Sequence, residues 1–233
     1  METRSEVDRL QEVYREYAFR GFGQSKWSLA NQGNQAAWGE CRRELQELLK
    51  QTGFFPLQHR RVLDVGCGTG DRLAGLMELG AAPENLFGVD LIPERIRVAQ
   101  QHHPRVTFQL ANAETLPFAD GIFDLVAVFT VFTSILNPQM VANICREIDR
   151  VLVSGGGLIW YDFRMHNPLN RHVRGISRNG IQKMFPAFEM TLKTISLLPP
   201  LARRLGRLTH VLYSPLSWVP FLRSHYLGVL TKP

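Results

Sequence analysis

The sequence predicts an α/β protein organised around a parallel sheet. Between residues 55 and 162, apolar runs of strand length alternate with apolar residues at helical spacing, beginning with 62–65 and its following helix. Residues 121–129 are nearly all apolar, as expected of a central parallel strand buried on both faces. A chain of 233 residues is long enough for one large α/β domain with an appended cap.

The N-terminal part is predicted to be a helical lid or cap over residues 1–52. Apolar residues three or four apart predict helices over 5–18 and 35–51. The polar, glycine-rich segment 21–34 between them contains Phe22 and Trp27, which a simple linker has no reason to expose. We therefore expect this segment to close over a site.

The main domain is predicted to span 53–233. Strands are expected at 62–65, 86–89, 106–110, 121–129, 158–162, 188–197 and 225–232. Helices are expected after 70, after 93, over 138–152 and over 177–185. Residues 198–224 exceed the length of a hairpin connection and are interpreted as an insertion on the substrate side.

A glycine loop follows the first strand of this domain. Gly66, Gly68 and Gly70 allow positive φ angles and let a ligand lie directly against the backbone. Asp64 and Asp71 flank the loop, and two carboxylates repel a pyrophosphate but suit a cationic ligand. Asp90 ends the second strand, 26 residues after Asp64, where it is placed to accept from two ribose hydroxyls.

This combination resembles the motifs of the class I S-adenosylmethionine (SAM) dependent methyltransferases. The resemblance implies a Rossmann-like, seven-stranded, mostly parallel sheet with an antiparallel last strand and helices on both faces. It also implies a transferase enzyme with SAM as cofactor and S-adenosylhomocysteine as product. Asn112 departs from the Asp that is common in the adenine loop of the family, although an amide still accepts from the adenine N6 amine. The implied cofactor-binding residues are Asp64, Gly66, Cys67, Gly68, Gly70, Asp90, Leu91, Asn112, Ala113, Glu114 and Thr130.

Several further stretches, including 130–135 and 160–164, resemble a small bacterial subgroup associated with sugar, polysaccharide or lipid modification. This second resemblance sets no substrate; the leading hypothesis is methylation of an oxygen, or less often a nitrogen, of a small-molecule, glycan or lipid-linked acceptor. The predicted substrate residues are Tyr17, Trp27, Phe132, Thr133 and Arg174. The predicted general bases are Asp162 and His166, with His172 as a third candidate. The alternative for Asp162 is a cap or a partner of Arg164, and for His166 an ordinary loop residue.

The charge distribution is asymmetric but does not identify the molecule that the protein binds. Residues 163–233 contain 11 Lys and Arg against Glu189 alone, a net charge of +10, whereas residues 1–162 contain 16 basic and 20 acidic residues, a net charge of −4. Such an asymmetry fits an anionic acceptor, a membrane surface, nucleic acid, or an ordinary solvated face. An RNA or DNA methyltransferase is disfavoured because the fourth strand is followed by neither [D/N]-P-P-[Y/F] nor Pro-Cys. A SAM-binding protein without activity is the remaining alternative.

Cysteine usage and hydropathy set the remaining expectations. Cys41, Cys67 and Cys145 show no C-x-x-C spacing, so we expect neither a metal site nor disulfides, and all three are predicted to be buried or half-buried. No stretch approaches about 18 uninterrupted apolar residues, and the N-terminus lacks the apolar region of a signal peptide. The expected localisation is cytoplasmic.

Overall fold

The computed structural model describes residues 5–19, 28–167 and 170–233. Its core is one seven-stranded sheet in the order β3-β2-β1-β4-β5-β7-β6. Strand β7 runs antiparallel to both of its neighbours, and the other pairings are parallel. This is the sheet that the sequence predicts. The strands are β1 Val62–Val65, β2 Leu86–Asp90, β3 Thr107–Leu110, β4 Phe123–Phe129, β5 Leu152–Phe163, β6 Glu189–Leu197 and β7 Arg223–Thr231.

Helices cover both faces of the sheet. They are α1 Glu6–Phe19, α2 Gln32–Gln51, α3 Asp71–Glu78, α4 Pro93–His102, α5 Pro138–Val151, α6 Arg178–Met184, α7 Pro199–Arg204 and α8 Thr209–Ser217. On one face, α2, α3 and α4 pack against the sheet in a core that includes Leu48, Leu73 and Ile96. On the other face, α1, α5 and α6 form a core that includes Leu10, Ile144 and Ile181.

Two predicted boundaries are wrong. Helix α2 begins at Gln32, three residues before the predicted start, because Oδ1 of Asn31 accepts hydrogen bonds from the backbone of Gly33 and Asn34. Residues 32–34 were expected in the closing segment and are helical instead. Strand β5 begins at Leu152, and the predicted glycine turn at 154–157 is a bulge within it, where the register with β4 shifts.

The predicted insertion lies between β6 and β7 and forms α7 and α8. Its own small core joins Leu197, Ala202 and Tyr213 to the start of α2. Ala202 packs so closely that a Cβ on Gly33 would lie 2.1 Å from its carbonyl oxygen. The three cysteines are buried and free, as predicted. Among the described residues, no helix has the length and apolarity needed to cross a membrane.

Candidate active site

The glycine loop joins β1 to α3 at the carboxyl edge of the sheet. Gly66, Gly68 and Gly70 all have positive φ angles, of 75°, 55° and 87°. A Cβ on Gly66 would lie 2.8 Å from Cγ2 of Val131, whereas a Cβ on Gly68 would meet nothing within 4 Å. The backbone at Gly68 therefore has an open face that a ligand can approach.

Asp64 lies beneath this loop as a buried carboxylate. It is 1% exposed, and neither of its carboxylate oxygens has a hydrogen-bond partner among the described residues. Burial raises the pKa of Asp64 well above its ordinary value; Arg72 opposes this shift, and Asp90 adds to it. A buried carboxylate without a hydrogen bond is costly, and a cationic donor is the group that satisfies it. The site therefore fits a ligand with an ammonium group.

Arg72 is a neighbour of Asp64 that the sequence reasoning missed. Its guanidinium lies 4.2 Å from the ring centroid of Trp38, 5.5 Å from that of Phe129 and 5.8 Å from that of Tyr161. Cation–π contacts of this kind hold a guanidinium in place while its N–H groups keep their hydrogen-bonding capacity. Arg72 thus places a positive charge beside the glycine loop, where it can attract a ligand carboxylate.

Asp90 organises the second part of the site. Its Oδ2 accepts from the backbone N–H of Gly68 at 2.9 Å, and its Oδ1 accepts from the N–H of Ile92 at 2.9 Å. Arg95 is 4.0 Å away. The carboxylate therefore links the glycine loop to the end of β2, and its remaining lone pairs suit the hydroxyls of a ribose.

The predicted adenine loop follows β3. Oδ1 of Asn112 accepts from the N–H of Glu114, and its Nδ2 donates to Oε2 of the same residue. Asn143 on α5 donates to the other carboxylate oxygen of Glu114 at 2.7 Å. Leu91 and Ala113 pack partly buried against the core. These contacts hold the loop beside Asp90, whose carbonyl accepts from the N–H of Ala111 at 3.1 Å.

Thr130 ends β4 in a left-handed conformation with φ of 57°, which is uncommon for a residue other than glycine. Its N–H donates to the carbonyl of Tyr161 at 2.7 Å. Such strain persists where the surrounding structure enforces it and is frequent at functional sites. β1 and β4 are neighbouring parallel strands, with Val65 paired to Val128, so Thr130 lies close to the glycine loop.

Asp162 and Thr133, predicted as general base and substrate residue, are bonded to each other. Both are 1% exposed. The carboxylate accepts from Oγ1 of Thr133 at 2.5 Å, from its N–H at 3.1 Å and from the N–H of Phe163 at 2.9 Å. Burial raises the pKa of Asp162 to about 6, and the bonds from Thr133 limit that rise. Asp162 therefore caps the short turn after β4. This agrees with the capping role that the sequence analysis gave as an alternative to general-base catalysis.

The other predicted acceptor residues lie around this turn. Phe132 is buried and stacks on Trp160 with ring centroids 5.1 Å apart. Exposed Arg174 donates its backbone N–H to the carbonyl of Thr133. Exposed His166 accepts from the N–H of Gly175 at 3.3 Å. Tyr17 exchanges hydrogen bonds with Asn170, whereas Phe22 and Trp27 lie outside the described residues.

The predicted partner of Asp162 makes other contacts. Arg164 donates to the carbonyls of Pro220 and Arg223, so it ties β5 to the insertion. Arg171 and His172 line a cleft of about 190 Å³ against α1, together with Glu12 and Glu16. Two carboxylates of α1 therefore lie in the same cleft as Arg171.

A buried polar cluster lies beside Arg72, and sequence reasoning did not identify it. The rings of Tyr161 and His225 stack with centroids 4.5 Å apart, and Nδ1 of His225 lies 2.8 Å from Oγ of Ser224. The Tyr161 hydroxyl lies 3.1 Å from Oγ of Ser196. Burial and then Arg72 lower the pKa of His225 to about 3, so the ring is neutral at physiological pH. This cluster forms a rigid floor at the ends of β5 and β7.

Comparisons with known proteins agree with this geometry. Residues 62–156 match the family model of the methyltransferase domain. A demethylmenaquinone methyltransferase of Symbiobacterium thermophilum is 34% identical over 143 residues, which cover 58% of this chain and 54% of that protein. A phthiotriol/phenolphthiotriol dimycocerosates methyltransferase of Mycobacterium ulcerans is 35% identical over 115 residues, covering 48% and 41%. The chain spans about half the length of these curated relatives.

The fold also matches solved structures. A SAM-dependent methyltransferase from Archaeoglobus fulgidus superposes with a TM-score of 0.56 over 82% of this chain and 94% of that one. The two sequences are 16% identical, so the likeness concerns the fold.

Proposed function

We propose that this chain, which belongs to the class I SAM-dependent methyltransferases, transfers the methyl group of SAM to an oxygen of a lipid or quinone-like acceptor. The observation that carries the proposal is the buried, unpartnered carboxylate of Asp64 beneath an open glycine loop. The named relatives act on demethylmenaquinone and on phthiotriol dimycocerosates, which supports an acceptor of this class.

The residues of the site fit each part of the cofactor. Asp64 would hold the α-amino group and Arg72 the α-carboxylate, while Asp90 would hold the ribose. The loop at 112–114 would hold the adenine. SAM supplies a methyl group on a sulfonium sulfur, a good leaving group that an acceptor atom displaces in line.

The protein then has two tasks at the reacting centre. It must align the acceptor with the methyl group, and it must exclude water. The ends of β4 and β5 would border this space through Thr130, Phe129 and Tyr161, whose two aromatic rings are buried next to the guanidinium of Arg72. We propose that these rings form an apolar wall, which would suit an apolar acceptor. A hydroxyl acceptor also loses a proton, and of the three candidate bases only His166 is exposed, whereas His172 is half-buried and Asp162 is buried.

The experiment that tests the proposal is calorimetric titration of SAM, S-adenosylhomocysteine and NAD into the full chain. It is followed by transfer of labelled methyl groups to quinols, lipid alcohols and glycans, and magnetic resonance of the product separates oxygen from carbon methylation. Binding of SAM and labelling of an apolar acceptor are expected. Binding of NAD without SAM, or labelling of glycans or nucleic acid alone, would contradict the proposal.

Asp90→Ala is expected to weaken SAM binding by about 1–3 kcal/mol, because bonds to a buried ribose and to the Gly68 N–H are both lost. Asp71→Ala is the matched control. Asp71 lies at the other end of the loop, is exposed, and accepts from Oγ1 of Thr69. Calorimetry on both variants decides the matter: equal affinities for SAM would remove the ribose role from Asp90.

We propose that α1 is part of the lid. Glu6 accepts from the N–H of Leu136 at 2.6 Å, Arg9 donates to the carbonyl of Ser134 at 2.6 Å, and the ring of Tyr14 lies 4.1 Å beneath the guanidinium of Arg95. The helix thus joins the turn after β4 to the side chain next to Asp90. Lids of this kind complete a site and exclude water.

Tyr14→Ala is expected to lower kcat/KM for methyl transfer about tenfold, because the variant loses the contact with Arg95 and the bond to Oγ of Ser134. Arg15→Ala, at the neighbouring exposed position, is the control. Steady-state kinetics at saturating SAM measure the effect. Unchanged kinetics in the Tyr14 variant would show that α1 is not a lid.

A further inference from the structure

Helix α8 in the insertion has the reverse of the usual amphipathic arrangement. Its buried positions are Thr209, Tyr213 and Ser217, four residues apart, and two of these are small and polar. Val211 and Leu212, which face away from these positions, are 55% and 36% exposed, and Leu208, directly before the helix, is 57% exposed. Surface helices of globular proteins normally bury the apolar side. The exposed apolar stripe of α8 is therefore not explained by folding.

Two further exposed apolar residues follow α8. Trp218 and Phe221 are 75% and 72% exposed. Single exposed apolar residues are ordinary, but five of them within residues 208–221, two with large aromatic rings, indicate an interaction site. We call these five residues the apolar insertion face: Leu208, Val211, Leu212, Trp218 and Phe221.

Positive charge surrounds this face. Arg204, Arg207 and His210 are exposed on and around the same helical segment. No Asp or Glu follows Glu189 in the chain, so the insertion contains arginines and no acidic residue. A surface of aromatic and aliphatic side chains with arginines between them fits the boundary between acyl chains and anionic headgroups.

The position of the insertion in the fold gives this surface a role. Leu197 at the end of β6 pairs with Arg223 at the start of β7, and His225 pairs with Phe163 at the end of β5. The insertion that joins β6 to β7 therefore lies at the carboxyl edge of the sheet. The glycine loop, Thr130 and Asp162 lie at the same edge.

We propose that the apolar insertion face docks the protein on an anionic lipid bilayer. Trp218, Phe221 and the α8 stripe enter the interfacial layer, while Arg204 and Arg207 contact lipid phosphates. The edge of the sheet that carries the site then faces the membrane, so an acceptor dissolved in lipid reaches it without crossing water. This last consequence rests on the proposed function, whereas the docking itself does not.

The test is flotation of the full chain with vesicles of phosphatidylcholine alone and with about 30 mol% phosphatidylglycerol, at low and high salt. The chain is expected to float with the anionic vesicles and to dissociate as salt rises. The variant Trp218→Ser/Phe221→Ser is expected to lower the partition coefficient at least about tenfold. The variant Arg204→Gln/Arg207→Gln is expected to lower it about tenfold and to weaken its salt dependence.

The chain offers matched controls for both variants. Leu110 is 52% exposed on β3, the outermost strand on the far side of the sheet from β6 and the insertion, and Leu110→Ser is expected to float as the wild type does. Arg97 and Arg105 pair with Glu94 and Glu84, and Arg97→Gln/Arg105→Gln is expected to float normally. Calorimetric SAM binding in every variant separates loss of docking from loss of the fold and from failure of the proposed function.

Three results would overturn the proposal. The first is equal flotation with neutral and anionic vesicles, or wild-type flotation of both double variants. The second is retention on duplex DNA or RNA with no binding to vesicles, which would assign the arginines to nucleic acid. The third is a dimer that Trp218→Ser/Phe221→Ser dissociates while vesicles bind neither form, which would assign the face to a second copy of the chain.

Discussion

Asp64→Asn is expected to bind SAM about 100-fold more weakly than the wild-type chain, a loss of about 2.7 kcal/mol. The carboxylate is buried and has no hydrogen-bond partner among the described residues, so an ammonium group would be its principal counter-charge. The neutral amide keeps the shape of the side chain and removes that charge. Calorimetric titration of SAM measures the loss, and Asp71→Asn at the exposed end of the loop is the control.

The same substitution has an opposite effect on the stability of the protein without ligand. Burial raises the folded pKa of Asp64 above its unfolded value of about 3.9. Between these two pKa values the folded state binds more protons than the unfolded state, so the free energy of unfolding falls as pH rises through that window. Asp64→Asn lacks this fall. Near neutral pH we expect the variant to be at least as stable as the wild type in denaturant unfolding.

The binding and stability effects together identify the role of Asp64. A purely structural carboxylate would show a loss of stability and little change in SAM affinity. A ligand-binding carboxylate shows the reverse. As long as the amino group of SAM stays charged, wild-type affinity should also rise with pH as Asp64 ionises, whereas the Asn variant should show no such rise.

The sequence was sufficient for the sheet and for the position of Asp64 and Asp90 near its carboxyl edge. Local patterns determine strands such as 123–129, and the two carboxylates Asp64 and Asp90 each end or interrupt an apolar strand. Because parallel strands share a carboxyl edge, their order along the chain predicts that these groups converge. The structure brings them together within one charged network.

Contacts made across long sequence separations were not predictable in this way. Arg72 occupies the first turn of α3, where a cation next to Asp71 reads as a surface residue. Its actual position depends on Trp38, which belongs to a helix packed on the same face of the sheet. No local pattern encodes that contact. The position of Arg72 beside the glycine loop could therefore be identified only from the folded structure.

The apolar stripe of α8 shows a different limit. Leu208, Val211 and Leu212 have the spacing of a core-facing helix, so periodicity alone predicts that they are buried. Tyr213 decides the orientation instead. Its hydroxyl donates to Oε2 of Glu40 on α2 at 2.8 Å, and Tyr213 is buried while Leu208, Val211 and Leu212 are exposed. A hydrogen bond between distant residues thus reverses the expected face.

Asp162→Ala is expected to cause the largest loss of stability, about 3–4 kcal/mol in the free energy of unfolding. The substitution leaves the hydroxyl and N–H of Thr133 without their acceptor in a residue that is 1% exposed. It also removes the acceptor of the Phe163 N–H. Denaturant unfolding at neutral pH measures the loss, and Glu94→Ala, at a fully exposed carboxylate on α4, is the control.

Asp162→Asn separates this positioning role from general-base catalysis. The amide oxygen can accept one of the three hydrogen bonds and the amide nitrogen can donate to Oγ1 of Thr133, so we expect a loss of only about 1 kcal/mol in stability. If Asp162 caps the turn after β4, kcat stays within about tenfold of the wild type at every pH. If Asp162 is the base, kcat falls by about 10²–10⁴ and the limb of the pH profile near its raised pKa disappears. The burial of the carboxylate and its three hydrogen bonds lead us to expect the first outcome, because an acceptor cannot approach oxygens that Thr133 and Phe163 already occupy.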